Sequence, residues 1–292
     1  MPLRYDMPLY RPPSEGRNLI IQATIGCSYN RCTFCSNYWT KTFRVRPLEE
    51  VFRDIDVAAA EWPDADRVFL ADGDALMLPT DHLHRILDRL ASALPQLTRV
   101  TSYATPDNVN RKSVEELTGL RESKLTLLYV GIESGHGEVL KRVSKGASPQ
   151  GIGRAINRAR EAGMKVSAMV ILGLGGREYS DRHIDATIEL VNNAPPTFLS
   201  TLQLDLQRAE EPGFLARWGK PFEQLDDMAV LDEMERLVTG LDPAHPVIFR
   251  SNHASNTLPL GGTLPKDRAK LLSAISDARS GRGVRPWFLR GG

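Results

Sequence analysis

Apolar residues recur along the chain at two spacings, and the two alternate from near one end almost to the other. Short, largely apolar runs at 18–24, 67–71, 125–132, 165–172 and 198–204, and a more polar, β-branched one at 98–103, predict strands of buried type. Between them the apolar positions fall three and four apart, as on one side of a helix. Pro47 opens the first of these helices, with Leu48, Val51, Phe52 and Ile55 on one face. Thr80 reads as the cap of the second, which carries Leu83, Ile86, Leu87, Leu90 and Leu94 in register. Ser113 and Glu116 have the spacing of a capping box. Ser148 followed by Pro149 announces a helix with Ile152, Ala155, Ile156 and Ala159, ending at Gly163. Helices at about 180–193 and 225–240 complete the alternation, and a short strand at 247–250 and a helix at 265–279 follow it.

Strands separated by helices run parallel, because each crossover carries the chain back before the next strand begins. Six such units predict an α/β fold, a partial (β/α)6 TIM-like barrel over 18–241, with an N-terminal arm at 1–17 and a short C-terminal extension at 242–292. A chain of 292 residues suits one core of that size with small appendages. In parallel barrels the chemistry collects at the C-terminal ends of the strands, where loops vary on a rigid sheet. Unusual residues are therefore expected just after each strand.

Composition removes several classes of function. Thirty-seven Lys and Arg balance 36 Asp and Glu, for a net charge of +1, so the whole chain offers no electrostatic reason for a nucleic-acid partner. No apolar run approaches the roughly 18 residues that cross a bilayer, and no membrane association is expected. The first residues lack the apolar stretch of a secretory signal, and a cytoplasmic location is expected. The chain has 3 cysteines, all between Cys27 and Cys35, too few for a disulfide framework, and their closeness points to metal or cluster ligation.

These cysteines stand as Cys27-Ser-Tyr-Asn-Arg-Cys32-Thr-Phe-Cys35, a C-x4-C-x2-C loop directly after the first strand. Three thiolates on one loop can each bind one iron of a cubane cluster and leave the fourth iron open. Structural zinc is the alternative, with a distant histidine such as His253 as fourth ligand; buried, inert thiols are another. The loop, with Phe34 just before its last cysteine, resembles the cluster-binding loop of the radical S-adenosylmethionine (SAM) superfamily. It departs from the common C-x3-C-x2-C spacing by one residue between Cys27 and Cys32.

Other strand ends extend the resemblance. Asp72-Gly73-Asp74 resembles the superfamily segment that receives the SAM amino group; read without the resemblance it is a turn in which the glycine takes an unusual backbone angle and the aspartates face water. The stretch from Val130 through Glu133 and Ser134 to Lys145-Gly146 is similar to the fourth-strand segment of oxygen-independent coproporphyrinogen III oxidase-like and methylthiotransferase-like cores. That resemblance implies that Glu133 and Ser134 face the ribose and that Lys145 meets the SAM carboxylate; as a plain residue, Lys145 is a solvated charge beside a helix. The strand end at Leu172, with Gly173, Gly175 and Gly176, resembles the adenine-binding segment, and as a glycine pattern alone it is a tight turn. Tyr103 and Met169 stand where the coproporphyrinogen oxidases carry acidic residues, which implies different ribose contacts around Tyr103 and a different reaction. The polar segment 250–256 includes Asn252 and His253, the candidate catalytic residues on the substrate side, and also reads as a loop that satisfies its own backbone. His82, His84 and His183 fall on predicted helices and read as solvated.

The resemblance implies an enzyme with two cofactors, a 4Fe-4S cluster on Cys27, Cys32 and Cys35 and S-adenosyl-L-methionine. Reductive cleavage of SAM would give a 5′-deoxyadenosyl radical that abstracts hydrogen from an unassigned small-molecule or peptide substrate, with flavodoxin or ferredoxin as external electron donor. A radical methyltransferase of the coproporphyrinogen oxidase-like type is the alternative within the family, and a non-enzymatic zinc or iron-sulfur protein is the alternative outside it. With no cysteine left over, the chain offers no thiolates for an auxiliary cluster of the methylthiotransferase kind.

Overall fold

A computed structural model describes residues 3–206, 211–219 and 221–290. After a 3-10 turn at Pro13–Glu15, the elements run β1 (Leu19–Gln22), β2 (Thr24–Ile25), β3 (Arg44–Val45), α1 (Leu48–Glu61), β4 (Arg67–Ala71), α2 (Thr80–Ala93), β5 (Arg99–Tyr103), α3 (Pro106–Asn110), α4 (Val114–Glu122), β6 (Leu125–Glu133), α5 (Gly137–Arg142) and α6 (Pro149–Glu161). They continue with β7 (Lys165–Leu172), α7 (Gly176–Asn193), β8 (Phe198–Gln203), α8 (Glu211–Trp218), α9 (Asp227–Gly240), β9 (Val247–Arg250), β10 (Gly261–Leu264) and α10 (Arg268–Arg279). Eight strands share one mostly parallel sheet in the order β1-β4-β5-β6-β7-β8-β9-β10, while β2 and β3 form a separate ribbon. This is the α/β architecture that the alternating pattern predicts.

The chain divides into two compact units. The first comprises Met1–Asn30, Asn37–Val130 and Arg158–Val166, and within it β1, β4 and β5 pair in parallel, as do β5 and β6. Strand β1 is buried on both faces, all four of its residues being buried, so no alternation appears in its sequence. Helix α2 covers these strands with Leu83, Ile86, Leu87 and Leu90, each fully buried, and each such side chain contributes about 1.5–3 kcal/mol. Thr80 does not cap this helix. Pro79 holds the N-cap position, and the Thr80 hydroxyl donates to Glu116 Oε1 at 2.6 Å. The Ser113 and Glu116 capping box on α4 forms as its spacing predicts.

The second unit comprises Arg31–Ser36, Gly131–Asn157 and Ser167–Gly292. Here β7, β8 and β9 pair in parallel and β10 returns antiparallel against β9. The short strand beyond 242 is therefore a member of the main sheet rather than an isolated appendage. Helix α7 begins at Gly176 rather than near 180, because the glycines that read as a turn already contain its first residue. Helices α3, α5 and α8 and strand β10 have no counterpart in the sequence reading; the Gly-Gly start of β10 carries no strand signal.

Candidate active site

At the end of β4, Asp72 and Asp74 are fully buried, which overturns the reading of them as water-facing turn residues. Asp72 accepts hydrogen bonds from Lys41 Nζ at 2.9 Å, the Gly26 backbone N at 2.9 Å and Gln22 Nε2 at 3.2 Å. Lys41 is itself sealed, with 3% of its side chain exposed, and its ammonium also donates to the Asp6 carbonyl. Asp74 has only neutral donors: Ser28 Oγ at 2.6 Å, the Asn108 amide, the Thr105 hydroxyl at 3.2 Å and the Thr105 backbone N at 3.3 Å. Burial pushes its carboxyl up, and the hydrogen bonds from Ser28, Asn108 and Thr105 offset only part of that.

The two carboxylates thus grip Gly26 and Ser28, the residues on either side of Cys27. Gly73 closes the join, donating its backbone N to the Gly26 carbonyl at 3.0 Å. Its backbone angle is ordinary, so the turn explanation for this glycine fails. The reason is space: a Cβ would come within 2.7 Å of the Tyr38 ring and 2.9 Å of Cys27 Cβ. Of residues 70–76, Gly73 alone has partial exposure. Tyr103, at the end of β5, is partly exposed and packs edge-on against Phe69 and Tyr129 at centroid distances of 5.2 and 5.9 Å.

In the second unit, Glu133 ends β6 with a φ of 61°, a left-handed conformation that costs a non-glycine residue about 1–2 kcal/mol. Its carboxylate meets Lys145 Nζ at 2.8 Å, with 7% and 12% of the two side chains exposed. Lys145 is therefore not a solvated helix-flank charge. Gly131 makes room for the pair, since a Cβ there would overlap both Glu133 Oε1 and Lys145 Nζ. Burial alone would lower the Lys145 ammonium, but Glu133, Cys32 and Cys35 outweigh it and hold the group above its ordinary range. The ammonium lies 6.0 Å from the centre of the Phe34 ring. Phe34 packs in turn against a cluster that includes Val139, Val143, Tyr179 and Trp218, and Thr33 N donates to the Val143 carbonyl at 3.1 Å. The second half of the cysteine loop is pinned to α5 by these contacts.

A family model described as the radical SAM superfamily matches residues 21–191, more than half of the chain. The chain belongs to the radical SAM superfamily. Members of this superfamily use a 4Fe-4S cluster and S-adenosylmethionine. Among curated proteins, it is 24% identical over 233 residues to a Methanocaldococcus jannaschii protein provisionally named a methylthiotransferase, covering 71% of this chain and 50% of that one. It is 22% identical over 165 residues to the heme chaperone HemW of Bacillus subtilis, covering 54% and 42%. The chain spans half or less of the length of these relatives. Among solved structures, methylornithine synthase superposes with a TM-score of 0.54 at 13% identity, covering 88% of this chain and 68% of that one. Escherichia coli coproporphyrinogen III oxidase does so with 0.54 at 16%, covering 76% and 51%. At such identities these two structures speak for the fold alone.

The residues of this radical SAM chain fit the cluster that the superfamily uses. Cys27, Cys32 and Cys35 are partly exposed and none is in a disulfide, and a cation beside Cys32 and Cys35 favours the thiolate that a metal needs. Among the described residues no three His, Cys, Asp or Glu side chains converge on one ion-sized point; a cubane takes one thiolate at each of three separate irons, so it does not require that convergence.

His183 is a correction. It is fully buried on α7, on the stripe that also buries Tyr179, Ile184, Thr187, Leu190 and Val191. Its Nε2 lies 3.1 Å from the Ile171 carbonyl and its Nδ1 2.7 Å from Ser134 Oγ. A carbonyl only accepts, so Nε2 carries the proton and Nδ1 accepts from the serine. Burial pushes this imidazole down to about 4, and Ser134, fully buried, has its hydroxyl proton committed to His183 rather than to a ribose. His82 and His84 are partly exposed, His84 Nδ1 lying 3.1 Å from Ser123 Oγ.

Leu172, the last residue of β7, is fully buried and its carbonyl accepts Leu204 N at 2.9 Å. The next residue, Gly173, donates its N to Glu233 Oε2 at 2.6 Å, while Ser180 Oγ donates to Oε1 at 2.7 Å. His253 is partly exposed, near Ser255 Oγ at 2.9 Å, and its carbonyl accepts from Arg285. Asn252 is exposed, whereas Asn256 is buried and bridges Thr201 O and Gln203 N. Lys41, Asn108, His183 and Glu233 are the positioning groups that the sequence reading missed.

Proposed function

We propose that this chain is a radical SAM enzyme that abstracts hydrogen from a small-molecule or peptide substrate, with Cys27, Cys32 and Cys35 as the cluster ligands. When bound, the cluster and S-adenosylmethionine supply a carbon-centred radical able to take a hydrogen atom from substrate. Every other task falls to the chain. Asp72 and Asp74 hold the cysteine loop through Gly26 and Ser28, and the Gly73 carbonyl accepts from the SAM amino group, the Gly73 N–H being already committed to Gly26. Lys145 receives the SAM carboxylate, Glu133 faces the ribose, and the loop after Leu172 receives the adenine. Superfamily members need an external electron donor, and flavodoxin or ferredoxin is the donor proposed here.

The observation that supports this reading most is the environment of the loop. Its sequence C-x4-C-x2-C is held by two fully buried carboxylates on one side of Cys27 and the other, and a buried ammonium lies beside Cys32 and Cys35. An inert core thiol needs neither. Anaerobic reconstitution tests it: the wild type should release 5′-deoxyadenosine from SAM under reduction, and Cys27→Ala, Cys32→Ala and Cys35→Ala should each lose that release entirely. Normal cleavage by any one of the three variants contradicts the assignment.

A further inference from the structure

Strands β7, β8 and β9 of the second unit bring Met169, Ser200 and Arg250 into one row, Met169 opposite Ser200 and Ser200 opposite Arg250. Register partners in a parallel sheet share a face. The opposite face is closed, with Ala168, Val170, Leu199 and Phe249 fully buried. The face of the row is open: Met169 and Ser200 are partly exposed and Arg250 is exposed. Three other arginines lie in strands, and each has a carboxylate nearby: Arg44 with Asp6 at 3.9 Å, Arg67 with Asp66 at 3.4 Å and Arg99 with Glu15 at 3.7 Å. Among the described residues Arg250 has none. Its side chain lies instead beside Gly261, its register partner on β10, where a Cβ would come within 3.4 Å of Nη1.

We propose that Arg250, with the Ser200 hydroxyl beside it and Met169 beyond, binds a carboxylate group of the substrate. The guanidinium fork matches a carboxylate through two parallel hydrogen bonds, and its charge does not depend on pH. One cation and one hydroxyl match a single negative charge, whereas a phosphate dianion calls for more donors. The Met169 thioether offers adaptable apolar contact to the carbon chain that carries the carboxylate. Arg250 is also the last residue of β9, at the strand end where parallel barrels collect their chemistry. A row rooted in a sheet with a fully packed back is rigid, as a specificity site requires. Met169 and Ser200 lie within β7 and β8, below the strand ends; the inference deepens the reading above by naming a substrate class, and rests on it in taking the open face of these strands as part of the reaction site.

Phenylglyoxal modification of the full chain, followed residue by residue by mass spectrometry, tests the site without turnover. The probe is N-acetyl-L-alanine, compared at equal concentration with its neutral methylamide and with inorganic phosphate. Exposed Arg154 on α6 is the internal reference. The carboxylate should slow modification of Arg250 by about threefold or more relative to Arg154, the methylamide should leave it unchanged, and Ser200→Ala should reduce the protection. Equal slowing at both arginines, equal slowing by the methylamide, stronger slowing by phosphate, or no slowing at all overturns the proposal. Because the footprint needs neither cluster nor SAM, its failure leaves the cofactor assignment intact. Failure of SAM cleavage in the wild type, in turn, leaves the footprint readable.

Discussion

Each unit of the molecule contains one buried lysine-carboxylate pair at a strand end, and the two pairs are finished differently. Lys41 and Asp72, at the end of β4, are 2.9 Å apart with 3% and 0% of their side chains exposed. Both make further hydrogen bonds to protein groups: Gln22 and Gly26 on the carboxylate, the Asp6 carbonyl on the ammonium. Lys145 and Glu133, at the end of β6, are just as close at 2.8 Å but retain 12% and 7% exposure. Their surroundings are an aromatic ring and two cysteines rather than a shell of donors and acceptors. The backbone of Glu133 is also left-handed, a cost that tends to persist where function over-determines a residue. A desolvated charge met by several protein groups and closed to solvent holds structure together. One with capacity left over and some opening to solvent is prepared for a ligand.

The sealed pair is the place to break the comparison hardest. Asp72→Asn keeps the shape of the side chain but removes the charge and turns an NH2 group toward donors. Among the described residues Lys41 then keeps only the Asp6 carboxylate, at 3.6 Å, as a counter-charge. Removing one partner of a buried pair costs about 3–5 kcal/mol, and urea unfolding of the cluster-free protein should show a loss of that order. A loss below 1 kcal/mol, on the order of an exposed ion pair, means that the pair is solvated in solution.

Glu233 sharpens the comparison from another side, as a buried acid with no cation paired to it among the described residues. Desolvation pushes its carboxyl up to about 7 from an ordinary 4.5, against the hydrogen bonds from Gly173 and Ser180. The folded state therefore holds this proton more tightly than the unfolded state does, and between those two values unfolding releases it. The contribution to stability is complete below about pH 4.5 and is lost as pH rises through about 7, a change of about 3 kcal/mol. The fall in unfolding free energy across that range should be larger in the wild type than in Glu233→Gln. Parallel pH profiles for the two proteins rule out an elevated carboxyl at this position.

Legibility in the sequence followed distance along the chain. The strands were readable because runs such as 19–21 and 170–172 are apolar and lie buried on both faces. The Ser113 capping box was readable because its partners are three residues apart. Cys27, Cys32 and Cys35 stand out for the same reason, as does Glu133 beside Ser134. The groups that hold these residues in place are remote: Lys41 lies 31 residues from Asp72, Asn108 lies 34 from Asp74, His183 lies 49 from Ser134, and Glu233 lies 60 from Gly173. Only the fold makes them neighbours. His183 was the exception that local pattern could have caught, since it stands four residues after Tyr179 on the buried stripe of α7.

The open pair gives the smallest effect on stability and the most discriminating one. Glu133→Gln keeps the side-chain length and asks nothing more of the left-handed backbone, so only the charge and one acceptor are removed. Lys145 keeps Cys32 and Cys35 beside it, unlike Lys41 in Asp72→Asn, and the stability cost should be near 1 kcal/mol, the net worth of a hydrogen bond. Binding of SAM should suffer instead. On the proposal that Glu133 faces the ribose and aims the Lys145 ammonium, affinity should weaken about tenfold, or about 1.4 kcal/mol, measured by equilibrium dialysis against the reconstituted protein. If Glu133→Gln costs as much stability as Asp72→Asn and leaves SAM affinity unchanged, the two pairs are of one kind. Residual exposure then no longer distinguishes a charge kept for a ligand from one kept for the fold.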